Sequence, residues 1–298
     1  MDLTQQKILS LCKNKLIRFE ETIRDIKYEE NGILNSEMLL FVSLVDFLKP
    51  KVIIESGRSR GQSTKIMSEY FKKSSYTIHS IEYNKYSEDV EISLKRLQGY
   101  RNLKLHFGDS FELIPKLINE ESCILIDGPK DLYAINLAIK ILYNPLVKAV
   151  FIHDVYKNSP YRPFIEKMFK YTFFSDDFDF NNMFKALDNN CLDKNGHRFD
   201  LSSIATLGII FQDEDKDFYN KKIYKQALKY YKGKRLTSRK NYYKYFKLKI
   251  KEILFFPKWE IKYERLYENK QIKLLNLLKK LLKIKIINPF TRKIKKLV

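Results

Sequence analysis

An α/β fold built on a mostly parallel sheet is the architecture this sequence predicts, and two patterns predict it. Short apolar, β-branched runs recur, and each closes on an acidic residue: Val52-Ile53-Ile54-Glu55, Ile78 to Glu82, Leu103 to Asp109, Ile124-Leu125-Ile126-Asp127 and Ala149 to Asp154. The acids at 55, 82, 109, 127 and 154 stand 27, 27, 18 and 27 residues apart. Between them lie stretches with helical spacing, Ser63 to Phe71, Glu88 to Leu97 and Leu132 to Leu142. Strand–helix alternation at this interval is what βαβ units produce. Ligands of such sheets bind beyond the carboxyl ends of the strands, where the strand order switches. One acid after a strand is often a helix cap or a turn residue; five in register face one edge together.

Ahead of the first strand, residues 4 to 48 read mostly as helix, with Asn35-Ser36 as a cap for Glu37 to Leu48. The first strand runs into Glu55-Ser56-Gly57-Arg58-Ser59-Arg60-Gly61-Gln62-Ser63-Thr64, which leads into a helix. Gly57 and Gly61 permit a tight turn and a close backbone approach, and the helix behind them offers free N–H groups. The spacing is GxxxG rather than the GxGxxG of a dinucleotide site, which disfavours NAD or FAD and an oxidoreductase. No GxxxxGK[ST] phosphate loop occurs. The fourth strand leads into Asp127-Gly128-Pro129-Lys130 and the fifth into His153-Asp154.

The chain has 298 residues, 44% hydrophobic and 31% charged, enough to bury a core without a disulfide or metal staple. With 9 Gly and 8 Pro it is neither collagen-like nor linker-rich. Cys12, Cys123 and Cys191 are scattered and never spaced as CxxC, which excludes a disulfide framework and a cysteine zinc site and suits the cytoplasm. The first residues lack the apolar core of a signal peptide. The longest apolar run, Met38 to Leu48, is too short to span a bilayer and contains Asp46.

Charge divides the chain. From Lys216 onward 27 Lys and Arg face 5 Asp and Glu; of the 56 basic and 36 acidic residues, 29 and 31 remain for positions 1–215. A body of net charge −2 therefore carries a tail of +22. Three regions are expected: 1–50, mostly helical, 51–215, the strand–helix body, and 216–298, a basic helical extension. In the tail, Leu274, Leu277, Leu278, Leu281 and Leu282 share one helical face and Lys273, Lys279, Lys280 and Lys283 the other. A Leu face opposite a Lys face fits an anionic membrane surface, with Phe255, Phe256 and Trp259 at headgroup level. The same pattern also fits packing on the body or on a second copy in a homo-oligomer. The run Tyr242 to Lys247 admits nucleic acid, the least favoured of the three.

The ordered motifs resemble those of class I S-adenosylmethionine (SAM)-dependent methyltransferases, whose first motif is ExGxxxG. The likeness covers residues 38 to 211. It implies a SAM-binding domain over 51–215, with 1–50 as its helical lid, built on a Rossmann-like sheet whose last strand, Ser203 to Phe211, is antiparallel. It implies that Glu55, Gly57, Gly61 and the adjoining Ser63 line the methionine end of SAM, that Glu82 holds the ribose hydroxyls, that Asp109 sits by the adenine, and that Asp127 also belongs to the cofactor site. In the metal-dependent O-methyltransferases of this class, carboxylates after the fourth and fifth strands hold Mg²⁺; here those positions are Asp127 and Asp154. His153 departs from that oxygen-ligand pattern and would favour Mn²⁺ over Mg²⁺, or serve as a general base. Asp127, Lys130, His153 and Asp154 are the candidates for acceptor chemistry. The Asp/Asn-Pro-Pro-aromatic box and the Pro-Cys nucleophile of nucleic-acid methyltransferases are absent. The motifs look closest to O-methyltransferases of sugars and small molecules, so a sugar, glycan or related hydroxyl is the expected acceptor. An RNA-modifying or nucleic-acid-binding protein on the same fold is the alternative. The aromatic stretch Tyr156 to Asp179 serves either as core or as an acceptor platform. His79 and His106 fall mid-strand and read as structural.

Overall fold

The structure, a computed structural model, describes residues 3–29, 32–157, 159, 162–192 and 206–212. The basic tail, His197, Tyr161 and residues 203–205 lie outside the described residues, and with them every expectation about membrane, partner or nucleic-acid contact.

Two helices come first, α1 (Gln5–Ile23) and α2 (Asn35–Leu48). The alternating body follows: β1 (Val52–Ser56), α3 (Gln62–Tyr70), β2 (Thr77–Glu82), α4 (Glu88–Arg96), β3 (Leu103–Phe107), α5 (Ser110–Leu117), β4 (Ser122–Ile126), α6 (Asp131–Leu142) and β5 (Val147–Ile152). Next come α7 (Arg162–Met168), β6 (Thr172–Phe174), α8 (Phe178–Phe184), a 3-10 helix (Lys185–Asn190) and β7 (Gly208–Phe211). The sheet order is β3-β2-β1-β4-β5-β7-β6. The first five strands are parallel, and β7 runs antiparallel to both of its neighbours. The chain thus has the doubly wound, Rossmann-like sheet expected of it, including the antiparallel last strand. The order reverses between β1 and β4, which places the switch point there.

Side-chain alternation sorts the apolar strand residues into two cores. Ile53, Ile78, Cys123, Leu125 and Phe151 face α1, α2 and α3, while Ile54, Ile81, Ile124, Ile126 and Val150 face α5, α6 and α7. Each fully buried aliphatic side chain contributes about 1.5–3 kcal/mol relative to exposure. α2 is buried along nearly its whole length because α1 covers its outer side; a helix apolar all round belongs between two layers.

The start of α2 differs from the expected cap. Its N-cap is Leu34, and Asn35 and Ser36 are already helical. The free N–H groups find carboxylates instead: Leu34 N donates to Glu37 Oε2 (3.0 Å) and Ser36 N to Asp188 Oδ1 (2.8 Å). The second of these comes from the 3-10 helix, so tertiary contact caps what local sequence leaves open. The aromatic stretch divides: Phe169, Phe173 and Phe174 are buried in the core, whereas Tyr171 and Phe178 are exposed.

Candidate active site

The turn after β1 is shaped by its neighbour across the switch point. Gly57 has φ +92°, and a Cβ there would sit 2.4 Å from Gly128 N. Gly128 N and Asp127 N both donate to Ser56 O (2.9 and 2.8 Å). Gly57 is therefore required first by the β4 turn packed against it. Gly61 has φ +78° and is the N-cap of α3; a Cβ there would press on Leu97 and Ser93. A shallow cleft opens above this turn, lined by Glu29, Gly32, Ile33, residues 58–60, Gln62, Ser63 and Asp127.

Glu55 lies beneath the turn, fully buried. Its carboxylate accepts hydrogen bonds from the hydroxyls of Ser63, Thr64 and Ser80, the last at 2.6 Å. Burial pushes its pKa up, against those hydroxyls and the nearby Arg58. The structure thus uses Glu55 and Ser63 to fasten α3 to β1 and β2. Glu82 closes β2 half-buried: Oε2 accepts from Ser59 N (2.8 Å), and Oε1 from Tyr83 N (2.8 Å) and Asn84 N (3.2 Å). It ties the glycine turn to the end of β2. Asp109 caps α5 through Phe111 N (2.8 Å).

The cover of the cleft falls within the expected lid, 1–50, but sequence reasoning singled out none of its residues. Glu29 N donates to Gln62 Oε1 (3.3 Å), Arg96 Nη2 to Lys27 O (2.9 Å), and Glu29 pairs with Arg96 (3.2 Å). These contacts hold the segment before α2 over the start of α3. A loop without motif, fastened by residues 33 to 69 positions away, leaves no signal in a single sequence.

The ends of β4 and β5 bring together the four residues predicted for acceptor chemistry and add a fifth, Glu37 of α2. His153 Nδ1 donates to Asp127 Oδ1 (2.7 Å) and lies 3.5 Å from Asp154 Oδ1. Its Nε2 is 3.3 Å from Glu37 Oε2, near enough for ionic attraction although not aligned as a hydrogen bond. Lys130 Nζ bridges the same two aspartates, 2.6 Å from Asp154 Oδ2 and in direct contact with Asp127 Oδ1. Asp154 has φ +64°, a left-handed conformation that aspartate tolerates.

Burial alone would lower the His153 pKa, but Asp127 and Glu37 outweigh it and raise it well above its ordinary value. Burial would raise Asp127; His153 and Lys130 outweigh that and hold its carboxyl well below the usual range. Burial likewise opposes the charge of Lys130, and Asp127 and Asp154 prevail and raise its pKa. The centre is an ion network that favours the charged form of His153. Both ring nitrogens of His153 already face carboxylates, Nδ1 that of Asp127 and Nε2 that of Glu37, which opposes the general-base and metal-ligand roles expected of it. Asp127, His153 and Asp154 offer ligand atoms all within 4.8 Å of one another, the spacing a cation needs. Lys130 nevertheless stands between the two carboxylates, so a divalent ion does not fit the site as it is built.

His79 and His106 form a separate stacked pair, rings 5.0 Å apart, with Nδ1 of the first 2.9 Å from Nε2 of the second. Burial, then the neighbouring His106, lowers His79 to about 4. The three cysteines are free and buried. Among the described residues, no helix is long and apolar enough to cross a membrane.

No protein-family model matches the chain, and no curated protein matches it. Solved structures similar to it include the SAH-bound methyltransferase PaMTH1 of Podospora anserina, at 16% identity and a TM-score of 0.39 over 72% of this chain and 98% of that one. The O-methyltransferase TomG of Streptomyces achromogenes, involved in tomaymycin synthesis and crystallised with SAM, is 14% identical, with a TM-score of 0.38 over 66% and 89%. A Bacillus cereus O-methyltransferase in complex with SAH is 13% identical, with a TM-score of 0.36 over 67% and 90%.

Proposed function

We propose that the chain is a SAM-dependent O-methyltransferase acting on a hydroxyl of a sugar, glycan or related small molecule. One observation carries the reading: the glycine turn and Asp127, which Lys130 and His153 hold, line one cleft at the β1/β4 switch point. The cleft fits SAM in its chemistry. Free N–H groups at the start of α3 suit a carboxylate, and the Glu82 carboxylate suits a diol. SAM supplies an activated methyl group with a neutral thioether as leaving group. The remaining work is to orient the acceptor and take its proton. Asp127 is held by His153 and Lys130; Asp154, the more exposed carboxylate, receives the proton.

Calorimetric titration with SAM, SAH and NAD tests the cofactor. Binding of SAM and SAH but not NAD is the expected result; no heat with SAM or SAH would overturn the reading. A ligand at 100 times its dissociation constant adds about 2.7 kcal/mol, visible in a thermal shift.

The tail extends the proposal: residues 255–298 hold the protein on an anionic membrane surface, where glycan intermediates are built. Its Leu and Lys faces support this. Co-sedimentation of the full chain with anionic vesicles, and its loss with neutral vesicles, is expected. Steeply salt-dependent RNA binding in place of vesicle binding would favour the nucleic-acid reading.

A further inference from the structure

The site at the ends of β4 and β5 has the donors of a cation site but already holds a cation of its own. Asp127 Oδ1 and Asp154 Oδ2 converge on Lys130 Nζ, at 2.6 Å for the second. They belong to the same cluster whose ligand atoms lie within 4.8 Å of one another. Lys130 is the N-cap of α6, three residues after Asp127, so the turn 127–130 delivers carboxylate and ammonium together. Asp154 comes from the neighbouring strand through its left-handed φ. Two carboxylates facing one point repel unless a positive charge stands between them, and here the chain supplies it.

We propose that Lys130 is a built-in substitute for a divalent metal ion: its ammonium fills the cation position between Asp127 and Asp154, and the protein works without metal. The placement rests on geometry alone. Its chemical role rests on the methyl-transfer reading. There the ammonium faces the acceptor oxygen and stabilises the negative charge that grows on it, as a fixed dipole or ion does. The O–H bond breaks with its proton passing to Asp154; the O–CH₃ bond forms as the S–CH₃ bond breaks, and that electron pair stays on sulfur. Lys130 keeps its proton throughout, so no metal or other co-reactant is required.

The test is Mn²⁺ binding by the full-length protein, read by electron paramagnetic resonance and by calorimetry, for wild type, Lys130→Met and Lys130→Arg. Lys130 is 46% exposed, so these variants are expected to fold, and thermal melts check that. Wild type and Lys130→Arg should leave the Mn²⁺ signal unchanged, while Lys130→Met should bind Mn²⁺ at least about ten-fold more tightly, equal to about 1.4 kcal/mol. Equal binding by all three proteins would overturn the proposal, because the lysine would then not occupy the cation position. Binding by none would overturn it too, because the carboxylates would then not form one. SAM titration of the same samples separates the two readings: its failure removes the cofactor and leaves the Mn²⁺ comparison intact.

Discussion

Glu37 Oε2 lies 3.3 Å from His153 Nε2, and both side chains are buried. The contact joins α2, which precedes the whole α/β body, to the end of β5, and places a second carboxylate on an imidazole already held by Asp127. Removing one partner of a buried ion pair costs about 3–5 kcal/mol. Glu37→Ala should lose stability on that scale, measured by urea unfolding. Glu37→Gln should lose less and should lower the His153 pKa, read from the ring protons by NMR titration.

The same network sets a pH dependence. The folded His153 pKa is raised above 6.5, so its contribution is complete below pH 6.5 and is lost as pH rises through the folded value. The folded Asp127 pKa is lowered below 3.8, so its contribution is present above 3.8 and is lost as pH falls through the folded value. Between those limits the pair contributes fully. The melting-temperature gap between wild type and Glu37→Gln should therefore be widest near pH 5 to 6 and narrow on the alkaline side. A gap that widens toward alkaline pH would remove the imidazolium from the account.

Glu55 behaves in the opposite sense. Its folded pKa is raised above 4.5 by burial, so the neutral form is favoured, and stability falls as pH rises through the folded value. Glu55→Gln keeps the shape and removes the charge. Its melting temperature relative to wild type should rise from pH 4 to pH 8. Glu55→Ala leaves three hydroxyls without their acceptor and should be less stable than wild type across that range.

Gly57→Ala meets both a positive φ and a backbone atom 2.4 Å away. Strain of this kind costs on the order of 1–3 kcal/mol. The variant should melt several degrees lower and bind SAM more weakly, since the β1 and β4 turns must part. Gly99→Ala is the control: its φ is also positive, but its Cβ meets nothing, so only the smaller cost remains.

Glu82→Ala should weaken SAM binding by one to two orders of magnitude, as expected for losing hydrogen bonds to a charged acceptor worth about 1.5–3 kcal/mol. Calorimetry measures it. Unchanged affinity would take Glu82 out of the cofactor site.

Much of the body was legible because its signals are local. Runs such as Ile124-Leu125-Ile126 are buried on both faces and so lack alternation, and the acids mark where the strands stop. α5 was missed because eight residues with Pro115 among them give too little periodicity, and β6 because three residues give none. What the sequence by itself determined is the strand–helix order and the set of polar residues at the strand ends, since both follow from residue type and spacing. Only the tertiary structure decided what those residues do. Glu55 is sealed under a helix and Asp109 is a cap. Gly57 answers to Gly128, 71 positions on. The charged form of His153 is favoured because Asp127 and Glu37, the latter 116 positions earlier, pack against it. Protonation and packing depend on distance in space, through Coulomb attraction and contact, and spacing along one chain does not encode that distance.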